Sequence, residues 1–474
     1  MSIDTMNRRD FFGRISTGLH GAALATLLGR DLYASQPRAF DLTPKTSHFR
    51  PKATSVIQFF MNGGPSQVDL FDPKPELQRS AGKSVRDVNT DTSDPRAAGG
   101  LLPSPFKFAK HGQCGMDLSD ALPHLHGVVD DVAFIRSMYG EHSNHEPAIF
   151  LMQSGRIVPA RPTMGAWVAY GLGTENQNLP AYVVLDDPKG LPINGISNWQ
   201  SAYLPPVYQG TRFRTEGPPV LNLQPREELS GPLVEAQRRL LRQLDQMHKA
   251  ERAHQPDLDG RISSYELAAR MQLAASDALD VNQESEATRE AYGLNDPATV
   301  SYGKRCLMAR RLVERGVRFV QLYIEGQIWD NHSNLETSLR YACTKTDKPV
   351  VALLRDLKQR GLFDSTLLVW GGEFGRLPIS QAEPGNKEAA GRDHGPSGFT
   401  VWLSGAGVKG GTVYGATDEI GHKAVETRVS VHDFHATILH LLGMEHRKLV
   451  YARQGLEERL TDQFPARVVR EVLA

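Results

Sequence analysis

The chain has 474 residues, of which 54 are Lys or Arg and 54 are Asp or Glu, so its formal net charge at pH 7 is zero. This balance argues against nucleic-acid binding through a bulk electrostatic field. Three cysteines, Cys114, Cys306 and Cys343, are too few for a disulfide framework and have no metal-ligating spacing, so we expect them to be structural. The length allows a large core, in one α/β domain with an insertion or in two domains.

The N-terminal segment has the features of a twin-arginine export signal. Arg8 and Arg9 precede Asp10-Phe11-Phe12, and an apolar run at 15–28 leads to small residues near Ala34. The sequence therefore predicts a signal peptide over residues 1–34 and a periplasmic or extracellular protein. The run is too short and too rich in Gly to span a membrane, so we expect no membrane span after export. The alternative is a basic N-terminal tail.

Short apolar runs alternate with helical patterns over residues 50–474. Strands are predicted at 55–61, 132–135, 181–185, 317–324, 366–370 and 400–403, and helices at 122–129, 146–154, 163–170, 302–315, 348–359 and 432–442. This alternation predicts an α/β fold with a doubly wound, mostly parallel sheet flanked by helices. Residues from about 191 to 300 contain no convincing strand and are predicted to be a mainly helical insertion or cap.

Polar clusters follow or precede the predicted strands. They are the segments 62–73, 142–145, 329–332, 371–376 and 391–396. Ligands of open α/β sheets collect at the carboxyl ends of the strands, so we expect these clusters to share one edge of the sheet.

The clusters contain the ligand types of a divalent metal site. Asp330 and His332, two residues apart, can reach one ion from a single loop, and His394 can supply a third ligand. The ion is expected to be Zn or Ca. For any one of these histidines the alternative is an ordinary structural role.

A second ion is a further possibility at the same edge. Glu373 would hold it, completed by Asn62 or Asp69 and by His145, with His142 three residues before His145.

The segment 145–156, which reads HEPAIFLMQSGR, resembles the C-x-P-S-R-x-x-L-L-T-G-R signature of sulfatases. Pro147 and the closing Gly155-Arg156 agree in register, whereas Ala148-Ile149 replaces the Ser-Arg pair. His145 stands at the position of the nucleophile-forming cysteine, so the formylglycine route is closed. We expect His145 to be catalytic as a metal ligand; direct attack or hydrogen bonding to the ester are its alternatives.

The order of these motifs along the chain is similar to that of an exported domain-of-unknown-function family grouped with alkaline phosphatases and sulfatases. The resemblance covers nearly all of the mature chain and implies an alkaline phosphatase-like fold. It implies that Asp330, His332 and His394 form a first metal site, and that Glu373 belongs to a second. The chain departs from alkaline phosphatases at Phe374, where they have His, and its first strand ends in Asn62 instead of Asp.

Two arginines and two serines complete the candidates. Arg376 and Arg392 are predicted to clamp sulfate or phosphate oxygens, with a surface ion pair or helix cap as the alternative. Ser66 and Ser143 are alternative nucleophiles, although Ser66 after a proline favours a turn.

Together these features predict an exported metal-dependent hydrolase of sulfate or phosphate monoesters, acting on a small-molecule or glycan ester. The alternative is a non-catalytic binding or assembly protein that keeps the fold and recognises a sulfated or phosphorylated glycan.

Overall fold

The structure is a computed structural model that describes residues 41–89, 92, 99–217, 231–252, 256–381 and 390–474. The predicted signal segment at residues 1–34 lies outside them. The strands are β1 Ser55–Phe60, β2 Phe108–His111, β3 Met116–Ser119, β4 Val132–Tyr139, β5 Tyr182–Leu185, β6 Thr211–Phe213, β7 Phe319–Leu322, β8 Thr366–Gly371, β9 Gly375–Ser380, β10 Arg392–Gly395, β11 Phe399–Ser404, β12 Thr412–Tyr414, β13 Ala416–Thr417, β14 Ala424–Glu426, β15 Val429–Ser430, β16 Tyr451–Arg453 and β17 Leu456–Glu458.

Helices surround this sheet in chain order. They are α1 Gln67–Leu70, α2 Pro75–Arg79, α3 Arg86–Asn89, α4 His145–Ser154, α5 Met164–Leu172, α6 Gly231–Ala250, α7 Pro256–Leu279, α8 Glu286–Ala291, α9 Val300–Glu314, α10 Leu335–Gln359 and α11 Val431–Leu441. Shorter 3-10 helices include Leu125–Asp131, where the sequence predicted an α-helix at 122–129.

The main sheet confirms the predicted doubly wound architecture. Its strand order is β12-β4-β11-β8-β1-β7-β5-β6, with β15 also paired to β4. The central strands β1 and β8 are buried along their whole length, as expected for strands covered on both faces. The predicted strands at 55–61, 132–135, 181–185, 317–324, 366–370 and 400–403 all occur.

One strand runs against the others, and this places a functional loop. β11 pairs antiparallel with both β4 and β8, whereas β1 is parallel to β7 and β8. The start of β11 therefore lies at the edge where the parallel strands end. Because of this reversal, the segment 391–396 reaches the shared edge although it precedes its strand.

A buried glutamine network fixes α4 against the sheet. The amide of Gln321 in β7 donates to Gln58 of β1 at 3.1 Å and to Gln153 of α4 at 2.8 Å. Gln153 in turn donates to the hydroxyl of Tyr323 at 3.1 Å. Buried amides need such partners, so the network holds α4 in one register above the strands and with it the residue at its start, His145.

The region predicted as an insertion is mainly helical but contributes one strand to the main sheet. β6 pairs parallel with β5 through Val183 and Thr211, so the expectation of no strand there is wrong. A three-residue edge strand gives too short a pattern to be recognised in sequence. No helix among the described residues is long and apolar enough to cross a membrane.

Candidate metal centre

Four side chains from distant parts of the chain meet at the shared edge of the sheet. Asp330 and His332 lie in the loop after β7, His394 lies in β10, and His145 is the first residue of α4. One ligand atom from each of these residues lies within 4.8 Å of the other three, and in the described part of the chain this is the group of such residues that could hold an ion. The expected convergence of Asp330, His332 and His394 is therefore present.

The separations between these ligand atoms are those of one coordination shell. Asp330 Oδ1 lies 2.8 Å from His332 Nε2 and 3.2 Å from His394 Nε2, and the two Nε2 atoms are 3.0 Å apart. His145 Nε2 lies 3.3 Å from Asp330 Oδ2. Ligands about 2.0–2.2 Å from a tetrahedral ion are themselves roughly 3.3 Å apart, which agrees with these distances.

Each of the three imidazoles is tied on its outer nitrogen to an oxygen. Nδ1 of His145 lies 2.6 Å from Glu373 Oε1, Nδ1 of His394 lies 2.5 Å from the Ser143 carbonyl, and Nδ1 of His332 contacts Gln381 Oε1. These oxygens only accept, so each Nδ1 is the donor and each ring presents Nε2 to the centre.

This arrangement leaves acceptors facing one another. In neutral rings with the proton on Nδ1, the Nε2 lone pairs of His332 and His394 point at each other and at the Asp330 carboxylate. Three acceptors at about 3 Å repel unless a proton or a cation lies between them. The donor set of imidazole and carboxylate thus fits a cation at this point.

Glu373 lies at the turn between β8 and β9 and is 1 % exposed. Its Oε1 accepts from the Gly63 amide at 2.9 Å as well as from His145, while its Oε2 is buried without a hydrogen-bond partner among the described residues. Glu373 therefore contacts the centre through His145. It does not join the group of converging ligand atoms, although the sequence analysis expected it to bind a metal.

Electrostatics follow from this contact pattern. Burial opposes protonation of His145, but hydrogen bonds to Asp330 and Glu373 outweigh it and raise the pKa of His145 to about 9. Burial also opposes the charged form of Asp330, yet hydrogen bonds from His145, His332 and His394 hold the pKa of that carboxyl well below its usual range. Burial lowers the pKa of His394, which keeps its ring neutral. Without an ion, His145 carries the compensating proton.

Arg376 is buried behind the site instead of facing a substrate. Its guanidinium donates to the Gly64 carbonyl at 2.9 Å, to the Arg392 carbonyl at 3.0 Å, to the Gly63 carbonyl and to Asp330 Oδ1 at 2.5 Å. All these partners belong to the protein. The predicted ester clamp at Arg376 is thus corrected to a residue that orients Asp330 and the Gly63-Gly64 turn.

Arg392 and Asp69 form a separate buried pair. Arg392 is fully buried, and its guanidinium binds both oxygens of Asp69, at 2.7 and 3.0 Å, and the Leu102 carbonyl at 3.0 Å. A bidentate pair of this kind satisfies both charges. The predictions of Arg392 as an ester clamp and of Asp69 as a metal ligand are therefore not supported, because each group faces the other.

The remaining candidates also lie outside the ligand group. Asn62 donates to the Gly326 carbonyl and accepts from the Ile324 amide at 3.4 Å, and His142 Nδ1 accepts from the Asn144 amide at 3.0 Å. These contacts correct the expected ligation by Asn62 and His142. Ser66 donates its hydroxyl to Asp69, so it closes a turn and is not presented as a nucleophile.

Backbone approach explains the Gly-rich turn after β1. Gly63 has φ +116°, and a Cβ on it would meet the Asp330 amide nitrogen at 2.6 Å. Only glycine fits such a position. The turn approaches the Asp330 loop, whereas the sequence analysis expected it to approach an ion or oxyanion.

Sequence reasoning missed the groups that orient the imidazoles. Ser143 acts through its carbonyl, which no side-chain pattern reveals, and Gln381 lies outside every recognised motif. Phe374 packs on two of the rings, with centroids 5.0 Å from His145 and 4.6 Å from His394. An apolar ring thus fills the place where a further ligand would stand.

The chain belongs to the DUF1501 family, described as a protein of unknown function, whose model matches residues 53–473. None of the curated proteins matches this chain in sequence.

Solved structures similar to this chain include three enzymes. They are the lipoteichoic acid synthase LtaP from Listeria monocytogenes (TM-score 0.37, 10 % identity, 86 % of this chain and 76 % of that chain), the PsFucS1 sulfatase from Pseudoalteromonas sp. (0.34, 11 %, 83 % and 68 %) and the alkaline phosphatase from the Antarctic bacterium TAB5 (0.32, 11 %, 78 % and 97 %). At such identities and TM-scores these likenesses say nothing about the activity of this chain.

Proposed function

We propose that this chain is an exported, single-metal hydrolase of phosphate or sulfate monoesters. The observation that carries the proposal is the outward anchoring of all three imidazoles, which turns the Nε2 atoms of His145, His332 and His394 toward Asp330. Metal-ligating histidines typically donate their other nitrogen to an acceptor in this way.

The ligand set favours a zinc-type ion over calcium. Three imidazole nitrogens and one carboxylate are borderline-soft donors that suit Zn²⁺, whereas Ca²⁺ takes six to eight oxygens. A second ion is not part of the proposal, because Phe374 occupies space beside His145 and Asn62 is hydrogen-bonded to the backbone.

His145 and the start of α4 would receive the ester. α4 is ten residues long and no side chain caps its first turn, so its initial amides and the positive end of its dipole are suited to an anionic group. An ion at the centre would supply Lewis-acid polarisation of the ester. Glu373 holds His145 in one tautomer beside that position.

One observation favours a non-catalytic function. Arg376 and Arg392 are both buried and hydrogen-bonded to protein groups, so neither presents a guanidinium to a substrate. A binding protein that keeps the metal centre to hold a sulfated or phosphorylated glycan would need no such clamp for a transition state.

Metal analysis and an ester panel distinguish the two functions. We expect purified protein to carry one zinc-type ion per chain and to hydrolyse p-nitrophenyl phosphate or sulfate, and Asp330→Ala to lose both. Glu146→Gln, an exposed residue in the first turn of α4, is the matched control and should retain both. Full metal content without hydrolysis of any ester would support the binding function, and absence of metal would defeat both.

Export is tested separately. Changing Arg8 and Arg9 to Lys should leave the precursor in the cytoplasm, because the twin-arginine route reads the paired arginines. Undiminished periplasmic accumulation of the variant would contradict it.

A further inference from the structure

Helix α6 exposes an apolar stripe to solvent. Leu233, Leu240, Leu244 and Met247 are 52 %, 56 %, 50 % and 67 % exposed. Their spacing of seven, four and three residues places them on one side of the helix over four turns. Isolated exposed apolar residues are common, but a row of large ones along a single helix is not.

The orientation of α6 leaves this stripe unpartnered among the described residues. The less exposed positions of the helix are Val234, Arg238 and Asp245, which are spaced by four and seven residues and so lie on a different side. α6 contacts α7, and the half-buried side of α6 accounts for that contact. The helix thus uses a partly polar side for packing and keeps its most apolar side outward.

The same segment carries an excess of positive charge. Residues 231–252 contain five basic residues, Arg238, Arg239, Arg242, Lys249 and Arg252, against three acidic ones, Glu235, Asp245 and Glu251. The chain as a whole has no net charge, so this excess is local. Arg239, Arg242 and Lys249 fall on the side of the helix away from the apolar stripe.

We propose that α6 is a docking surface for an anionic lipid bilayer, on which it would lie in the interface plane. A helix with an apolar side, a basic polar side and little overall hydrophobicity has the composition of an interfacial helix. Anionic headgroups complement Arg239 and Arg242, whereas a second copy of the chain would oppose two surfaces of the same sign.

Size supports the same occupant. A stable protein interface takes about 20 to 30 residues a side, and the stripe has only a few large side chains on one helix. Binding to a bilayer has no such minimum, because it scales with the apolar area that enters the interface. The surface serves attachment and is independent of the proposed hydrolysis.

Vesicle co-sedimentation of the purified full chain tests the proposal. We expect the protein to sediment with phosphatidylglycerol-phosphatidylcholine vesicles, less so as salt increases, and not with phosphatidylcholine alone. Leu240→Ser with Leu244→Ser should lower the partition coefficient at least about tenfold. Arg239→Gln with Arg242→Gln should weaken binding to the anionic vesicles by a similar factor.

Matched controls lie elsewhere on the surface. Val425→Ser with Leu456→Ser changes two residues that are 59 % and 64 % exposed in other elements, and this variant should sediment like the unaltered protein. Thermal unfolding checks that every variant is folded. No sedimentation, equal sedimentation of the leucine variant, or a dimer in light scattering that the leucine variant abolishes would overturn the proposal.

Discussion

At the scale of single residues, the centre depends on what holds each ring as much as on the ligands. Glu373 is the clearest case, because it contacts His145 through one oxygen and shares that oxygen with the Gly63 amide. An unheld imidazole loses rotational freedom when it binds an ion, and this entropy loss weakens the affinity.

We expect Glu373→Ala to lower metal affinity by about 10- to 100-fold without changing a stoichiometry of one ion per chain. Chelator competition measures the affinity, and elemental analysis measures the stoichiometry. Glu373→Gln keeps an oxygen for His145 and should recover part of the loss, while Glu146→Ala should change nothing. A fall from two ions to one in the alanine variant would mean that Glu373 is a ligand of a second ion.

His145 makes the stability of the metal-free protein depend on pH. Its pKa rises from the ordinary value of 6.5 to about 9 in the folded chain, so its contribution to stability is complete below pH 6.5 and is lost as the pH rises through 9. Urea unfolding in the presence of chelator should show this decline. His145→Gln should remove it, so the difference between the two proteins should shrink toward pH 9. A difference that grows with pH would contradict the assignment.

Sequence could identify the ligands but not their surroundings. Asp330, His332 and His394 were predicted because aspartate and histidine stand beside strand ends, a pattern that is visible in one dimension. Arg392 and Asp69 were misassigned, because a buried ion pair 323 residues apart leaves the same residue types in the sequence as a binding site does. Only the third dimension shows which charge faces which.

At the scale of elements, the fold was predictable where a strand has a long buried pattern. α10 shows where this fails, because it begins at Leu335, thirteen residues before the predicted start, and contains Pro349 in its interior. Proline is typical of a first helical turn, so the sequence favours a start near 348. The first half of α10 is instead retained by buried residues such as Leu339 and Cys343.

An arginine joins α9 to its neighbours. Arg310 is 1 % exposed and lies 2.7 Å from Glu284, 2.6 Å from Glu314 and 2.9 Å from Asp356, which belong to the segment before α8, to α9 and to α10. Removing one member of a buried ionic cluster leaves uncompensated charge.

Arg310→Met should therefore lower the free energy of unfolding by about 3 to 5 kcal/mol. Arg261→Met, at an exposed position of α7, is the control and should change it by less than about 0.5 kcal/mol. Urea denaturation of both variants gives the comparison. Equal effects of the two substitutions would show that the cluster contributes no net stability.

At the scale of the whole molecule, the centre ties together segments that are far apart in the chain. His145 comes from α4, Asp330 and His332 follow β7, and His394 precedes the reversed strand β11. An ion bound only by the folded state would stabilise all of these segments at once. Stability should therefore report occupancy even if no substrate is known.

We expect Zn²⁺ at about 100 times its dissociation constant to stabilise the protein by about 2.7 kcal/mol, which raises the melting temperature by roughly 5 °C. Ca²⁺ at the same excess over the protein should have little effect, because three of the four donors are imidazole nitrogens. Scanning calorimetry of chelated and metal-loaded protein measures the shift, and Asp330→Ala should abolish it. Since no shared ligand would then remain to link the loop after β7 to His394, a zinc-dependent shift that persists in Asp330→Ala would place the ion elsewhere.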